Sequence, residues 1–425
     1  METYAEALSY AIPGFTVLIL IEYLASLVMK KEVNRGMDTI SSLSSGMTNT
    51  LKNIMGLSVV LLSYQWMYAH FALLELKATW WVFVIAFIGI DFAAYWSHRF
   101  NHKINLFWNR HIVHHSSEEF NLSCALRQSV SDVVGIYFFL QIPLVLLGVP
   151  PIVMAYTLPI HLFAQFWYHT RLIGKMGFLE HIIVTPSHHR VHHAINPEYI
   201  DKNLSTIFIV WDKLFGTFQA ELDEAPPVYG VIKPVQTWNP ILINFIHLWG
   251  LIKDAWRTQS WKDKLRIWYM PTGWRPADVA RKYPIEINKN PYAQVKYNTP
   301  TSGFFLGWFW VQLTINLALM LFLLTNFAKI AYLDLMLYGT FLWISIFAYT
   351  IAMDKHRLGV FFEGLKLLLG AYLIYKTQGW FGMETALPGA GIVVSVYLLI
   401  SFFMTFIFIK KSLPFTSSQP LVQRT

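Results

Sequence analysis

Apolar residues recur along this chain in runs long enough to cross a hydrocarbon core of roughly 30 Å as helices. Nine such runs lie at about 12–29, 54–74, 80–96, 133–149, 151–167, 304–327, 331–353, 358–375 and 391–409. The turn signal Val149-Pro150-Pro151 parts the fourth from the fifth, so those two predict a hairpin that goes out and returns. Residues 170–302 break the pattern. They are polar, rich in Pro and Asn, and predict an amphipathic or soluble cap. In its later part Trp249, Trp256, Trp261 and Trp268 stand among Lys and Arg, which suits either the headgroup level of a membrane or a packed surface helix. The expected fold is all-α: a multi-pass transmembrane bundle of about nine spans. It divides into a membrane catalytic domain with its cap, 1–302, and a four-span C-terminal bundle, 303–425, without a catalytic role.

Composition agrees with that pattern. Of 425 residues, 55% are hydrophobic and only 14% are charged, well under the roughly 25% of soluble domains. The net charge of +8 sits between the apolar runs, and 16 of the 33 Lys and Arg fall within 170–302. That distribution fits a membrane surface and argues against a nucleic-acid partner. With the N-terminus outside, the basic segments 30–53, 98–131, 170–302, 354–358 and Lys410-Lys411 all fall on the cytoplasmic side. The expected location is the endoplasmic reticulum in a eukaryote or the inner membrane in a bacterium. The start METYAEALSY has no basic leader region, so the first run is expected to remain as a span. A lone Cys124 excludes an intrachain disulfide, a zinc finger and an iron–sulfur cluster.

The candidate chemistry lies in the histidines. His98 and His102 are spaced i, i+4; His111, His114 and His115 follow at i, i+3, i+4; His189, His192 and His193 repeat the second spacing. On a helix each set shares one face. Eight imidazoles in three groups on one side of a membrane point to a polynuclear metal site, and a single zinc would need only three or four. Spacing alone leaves iron, zinc and copper open. Asp91 stands two turns before His98 inside an apolar run, where an ionisable group is costly unless paired, and it is a candidate acceptor for a ligand imidazole. His161 and Gln165 share a face with His169 and are candidates for a substrate path. Glu119, Asn121 and Arg127 are candidates to hold the second group in place. His70, His181, His188, His247 and His356 have no partner at ligand spacing and read as structural.

His98-x3-His102, His111-x2-His114-His115 and His189-x2-His192-His193 resemble the three histidine boxes of the fatty acid hydroxylase and sterol desaturase superfamily. The intervening HHSSEEFNLSCALRQS, QFWYHT, TPSHHRVHH and DKNLSTIFIVWDKLFGTF are similar to its ether-lipid-cleaving branch, with the best match over 80–220. The resemblance implies a di-iron membrane mono-oxygenase acting on a lipid C–H bond with dioxygen. Its ligands would be His98, His102, His111, His114, His115, His189, His192 and His193, with His169 as one more. Tetrahydrobiopterin is the electron donor implied by that branch, and a reductase chain the donor for a sterol or fatty acyl hydroxylase or desaturase. One departure is Lys103, where the pattern has an acidic residue. From a different class, a histidine-rich metal transporter remains an alternative, although transporter sites tend to lie at the midplane on broken helices.

Overall fold

The computed structural model describes residues 2–412, and they form an all-helical architecture. Backbone pairing outside helices is limited, among the described residues, to isolated bridges such as Ile183 with Phe208. Six helices are long and apolar enough to cross a membrane: α1 (Glu2–Val28), α4 (Trp80–Lys103), α14 (Gly303–Thr325), α15 (Tyr332–Met353), α16 (Leu358–Thr377) and α17 (Ala390–Ser412). Between α1 and α4 lie α2 (Gly36–Ile54) and the short α3 (Tyr64–Phe71). After α4 come α5 (Asn105–Trp108), α6 (Ile112–His115), α7 (Ile142–Leu146), α8 (Pro151–Phe163), α9 (Pro186–His192) and α10 (Val210–Leu214). The cap is closed by α11 (Pro240–Arg257), α12 (Trp261–Arg266) and α13 (Ala277–Lys282).

Three of the nine expected spans are not continuous spanning helices. The run 54–74 breaks where Gly56 takes a positive φ of 68° and Ser63 starts α3 by accepting the Trp66 N–H at 3.2 Å. The run 133–149 is a 3₁₀ turn followed by α7, ended by Gly148 at φ 71°. A Cβ at Gly148 would lie 1.8 Å from the Leu74 carbonyl, so only glycine permits this approach. With 13 residues, α8 extends about 20 Å, short of the roughly 30 Å core. These pieces pack on the first half of α4, where Val82, Ala86 and Ile90 meet Leu144, Val149 and Val153.

Hydropathy predicts no span at α2, because its composition is not that of one. Ser41, Ser42, Ser44, Ser45 and Thr48 are all buried. They face protein instead of lipid: Ser44 bonds Tyr349 of α15 at 2.5 Å, the Thr48 carbonyl accepts from Trp343 at 3.3 Å, and Gly46 lies against the Leu126 backbone. The apolar core beside it runs from Met37, Ile40 and Leu51 through Trp238 of the cap to Phe309, Phe341, Trp380 and Leu398 of α14–α17. Asp354, after α15, accepts from the Trp238 N–H at 2.8 Å and the Tyr297 hydroxyl at 3.0 Å, tying the cap to the bundle.

Candidate metal centre

The end of α4 presents His98 and His102, whose rings lie 5.0 Å apart. Asn105 turns the chain by bonding the carbonyls of Ile267 and Trp274, and α6 then brings His114 and His115 beside them. The last set stands on and just after α9. Thr185 and His188 start that helix as a capping box, which gives His188 its structural role. The nine histidines converge as two adjacent groups: His98, His102, His111, His115 and His192, and His114, His169, His189 and His193. Within each group one nitrogen from every ring lies within 4.8 Å of the others. The groups adjoin through His115 and His193, with rings stacked 4.4 Å apart.

The proton inventory of these rings fits a cation. His98, His192, His114 and His169 donate Nδ1–H to the carbonyls of Leu204 at 2.8 Å, Lys202 at 3.0 Å, Arg127 at 3.3 Å and Phe166 at 3.3 Å. A neutral imidazole bound in that way carries its lone pair on Nε2. Yet the Nε2 atoms of His114 and His169 face each other at 3.4 Å, and two lone pairs aimed together repel unless a cation lies between them. In the other group, Nε2 of His102, His115 and His192 is buried with no hydrogen-bond partner among the described residues. Burial pushes the His114 and His169 imidazoles down to about 3. Burial first, then neighbouring imidazoles, holds His111, His115, His189, His192 and His193 well below the usual range. Neutral, convergent imidazoles are what a transition metal requires.

The same shifts fix the sign of a pH effect. Below about 6.5 these imidazoles take up protons in the unfolded chain while His114 and His169 stay neutral in the folded one down to about 3. The unfolded state then binds more protons, so stability falls as pH falls. Metal-free protein should therefore melt at steadily lower temperature from pH 7 to pH 5 in a thermal-shift titration. A flat profile would contradict the buried neutral cluster.

One loop orients much of the group of five. Besides the Lys202 and Leu204 carbonyls, Asp201 accepts from His102 Nδ1 at 3.2 Å and from Lys103 Nζ at 2.7 Å. Lys103, the departure from the expected pattern, is thus the partner of a carboxylate beside the histidine group of five. Burial raises the Asp201 carboxyl, but the bonds from His102 and Lys103 outweigh it and hold it down to about 2. Asp212 fastens the loop by accepting from the Leu204 and Ser205 N–H groups at 2.7 and 2.8 Å. In the sequence this stretch carries only a likeness to the family, with no residue at ligand spacing to mark its role. Replacing Asp201 by Asn should weaken metal affinity by roughly 10–100-fold, as loss of an orienting partner does; unchanged affinity in a chelator titration would refute the orienting role.

Asp91 differs from its expected place. It hydrogen-bonds none of the nine clustered imidazoles. Its oxygens accept from His161 Nε2 (2.9 Å), Thr206 Oγ1 (2.6 Å), the Ile207 and Phe208 N–H groups (2.9 and 3.0 Å) and Trp211 Nε1 (2.8 Å). With five donors already placed, it has no room for another, and it acts on the histidines through the loop that carries Leu204. Gln165 donates to His161 Nδ1 at 3.1 Å, so both candidates for a substrate path extend the Asp91 network instead. His169 leaves their shared face because α8 ends at Phe163. Arg127 bonds Asp38, Ser42 and Ser116 around the second box, and Glu119 pairs with Arg171 and Lys296. Asn121 accepts from the Ser123 N–H at 3.1 Å and donates to the Val33 carbonyl at 2.7 Å.

Above the group of five lies a cavity of about 680 Å³ with His102, His115 and His192 in its wall and the cap around the remainder. A volume in the range of roughly 300–1,000 Å³ is usual for small-molecule sites.

The family profile described as fatty acid hydroxylase matches residues 83–217, which hold all nine histidines. The chain is 34% identical over 373 residues to alkylglycerol monooxygenase of Homo sapiens, covering 87% of this chain and 82% of that protein. It belongs to the alkylglycerol monooxygenase family of fatty acid hydroxylases. Alkylglycerol monooxygenase of Danio rerio is 40% identical over 284 residues, 65% of this chain and 61% of its own. A more distant relative is the ornithine lipid hydroxylase of Rhizobium tropici, 30% identical over 135 residues, 32% of this chain and 41% of that protein. No solved structure matches the chain significantly. Membership in this iron-dependent family makes the chain an oxygen-dependent, lipid-hydroxylating membrane monooxygenase, and the transporter alternative falls.

Proposed function

We propose that the chain hydroxylates the carbon beside the ether oxygen of an alkylglycerol-type lipid, using two iron ions and a reduced pterin. The observation that carries this reading is the double group of neutral imidazoles, one of which opens through His102, His115 and His192 into a cavity with apolar as well as polar lining. The relatives named alkylglycerol monooxygenase support the substrate class. His98, His102, His111, His115 and His192 would hold one ion, and His114, His169, His189 and His193 the other. Bound iron supplies the activation of dioxygen.

The side chains have separate tasks. Nδ1–H bonds to fixed carbonyls keep the Nε2 lone pairs of His98, His192, His114 and His169 directed inward, so these four need little reorganisation. Six of the nine histidines are buried and the other three half-buried, which limits water. The apolar wall holds the alkyl chain, and His102, His115 and His192 mark the end at which its oxidised carbon must lie. In balance, the lipid, dioxygen, two electrons and two protons give a hemiacetal and water. The hemiacetal then separates into a fatty aldehyde and glycerol. The test is incubation of the purified full chain with an alkylglycerol, dioxygen and tetrahydrobiopterin. Fatty aldehyde is the expected product. Hydroxylated sterol or acyl lipid from parallel incubations, without aldehyde, would move the reading to another branch of the superfamily.

The site is proposed to face the cytoplasm, with the N-terminus outside. Two features support this. Glu22, late in α1, accepts from the Leu122 N–H at 2.8 Å, so α1 and α4 both reach the site by their C-terminal ends and residues 29–79 must return to the far face. Phe305 packs on Phe408, which brings Lys410 and Lys411 to the end of the bundle where α14 begins. Basic segments thus gather on one face, as on cytoplasmic sides. In a chain with Cys124 replaced, single cysteines at Glu198 and Lys77 should label from opposite sides, the first from the cytoplasm. Labelling of both from one side would overturn this topology.

A further inference from the structure

The cavity above the group of five carries cationic side chains that the metal centre does not use. Lys233, Lys253 and Arg257 line it together with apolar Ile195, Val231 and Leu251. Neighbouring charges are already matched: Arg275 bonds both oxygens of Asp254, at 2.5 and 3.0 Å, and Asp201 is held by His102 and Lys103. Lys233 and Lys253 have no hydrogen bond or ion pair among the described residues. Both are half-buried. Burial first, then the charges of Lys253 and Arg275, lower the Lys233 ammonium from its usual value. Like charges sharing a partly desolvated space are costly unless an anion lies between them. Arg257, exposed at the same cavity wall, stacks on the Tyr283 ring, 4.2 Å from its centroid, which restrains its guanidinium.

We propose that Lys233, Lys253 and Arg257 form a subsite for the anionic headgroup, phosphate or carboxylate, of a single-chain lipid whose apolar part extends toward His102, His115 and His192. This rests on the lipid-cleaving reading above and adds the charge of the substrate to it. The apolar residues that share this cavity wall with the cations and the histidines favour an amphipathic ligand over a free anion. The position of α11 agrees. One face of it supplies Leu251, Lys253 and Arg257 to the cavity, while the other exposes Phe245, Trp249, Ile252 and Trp256 at i, i+4, i+7 and i+11. Aromatic side chains with that spacing suit the lipid interface, so one helix separates the membrane from the cavity.

The test is equilibrium binding to the detergent-solubilised, iron-containing full chain, with hexadecyl phosphate and 1-O-hexadecylglycerol as the two probes. The phosphate should bind about tenfold tighter or more, the contribution of a charge-assisted contact. Combined Lys233→Gln and Lys253→Gln should remove most of that preference, and Lys253→Arg alone should keep it. Iron content reports whether each variant is folded. If the double variant does not fold, the wild-type preference and Lys253→Arg still decide the matter. Equal affinity for the two probes in the wild type, or a preference that survives the double substitution, overturns the proposal. Displacement of hexadecyl phosphate by an equal concentration of inorganic phosphate would assign the cations to a free anion and overturn it too. Binding is read without turnover, so an enzyme that fails to cleave ethers but prefers the anionic probe refutes the reaction and not this subsite.

Discussion

His192→Ala should abolish turnover and remove iron from the protein. Its Nδ1–H is fixed by the Lys202 carbonyl at 3.0 Å and its Nε2 is buried without a partner. Its ring lies 4.5 Å from His98, 4.7 Å from His115 and 5.1 Å from His189, so it touches both groups. Loss of an orienting neighbour alone costs roughly 10–100-fold in metal affinity, and loss of a ligand should exceed that. The chain should still fold, because removing one imidazole relieves crowding among lone pairs. His188→Ala makes the contrast: four residues away on the same helix, it caps α9 and holds no place in either group. It should cost about 1 kcal/mol of stability and keep its iron. Elemental analysis beside a product assay reads both; full iron and activity in His192→Ala would remove the shared site.

Asp91→Ala should be among the most destabilising single substitutions in the chain. The residue is fully buried and accepts five hydrogen bonds, from His161, Thr206, Ile207, Phe208 and Trp211. Removing the acceptor strands those donors away from water, a loss on the order of 3–5 kcal/mol by comparison with broken buried ion pairs. Asn is a poor replacement, since its amide would turn N–H groups toward either the Phe208 and Trp211 donors or the opposite set. Both variants should melt lower, Ala more than Asn, and both should bind iron less tightly because the loop carrying Leu204 and Lys202 loosens. Near-wild-type melting of Asp91→Ala would refute the anchoring role.

Spacing made the histidines conspicuous because a helix turn brings i, i+3 and i+4 together whatever surrounds it. The structure places all of them, with His169, in two adjoining groups. Orientation of the rings was less legible. Much of it comes from the backbone carbonyls of Lys202, Leu204 and Arg127, which any residue could supply. Asp201 was hidden for another reason: its partner His102 is 99 residues away, and only the fold joins them. Hydropathy likewise identified helices that face lipid, such as α14 and α17, and passed over α2, whose serines face protein. It overextended at 54–74 and 133–149, where Gly56 and Gly148, both at positive φ, break or end the apolar runs. Composition measures what a segment can dissolve in, and it is silent on whether the backbone stays helical across that length.

The iron content of the folded protein tests the two-metal centre most directly. Full-length chain purified in detergent should carry about two iron ions, since nine imidazoles exceed what one tetrahedral or octahedral ion can take. His192→Ala and His169→Ala, one from each group, should each reduce that content. A fully active wild-type protein with one iron or none, or with content unchanged in both variants, would contradict a shared two-metal centre.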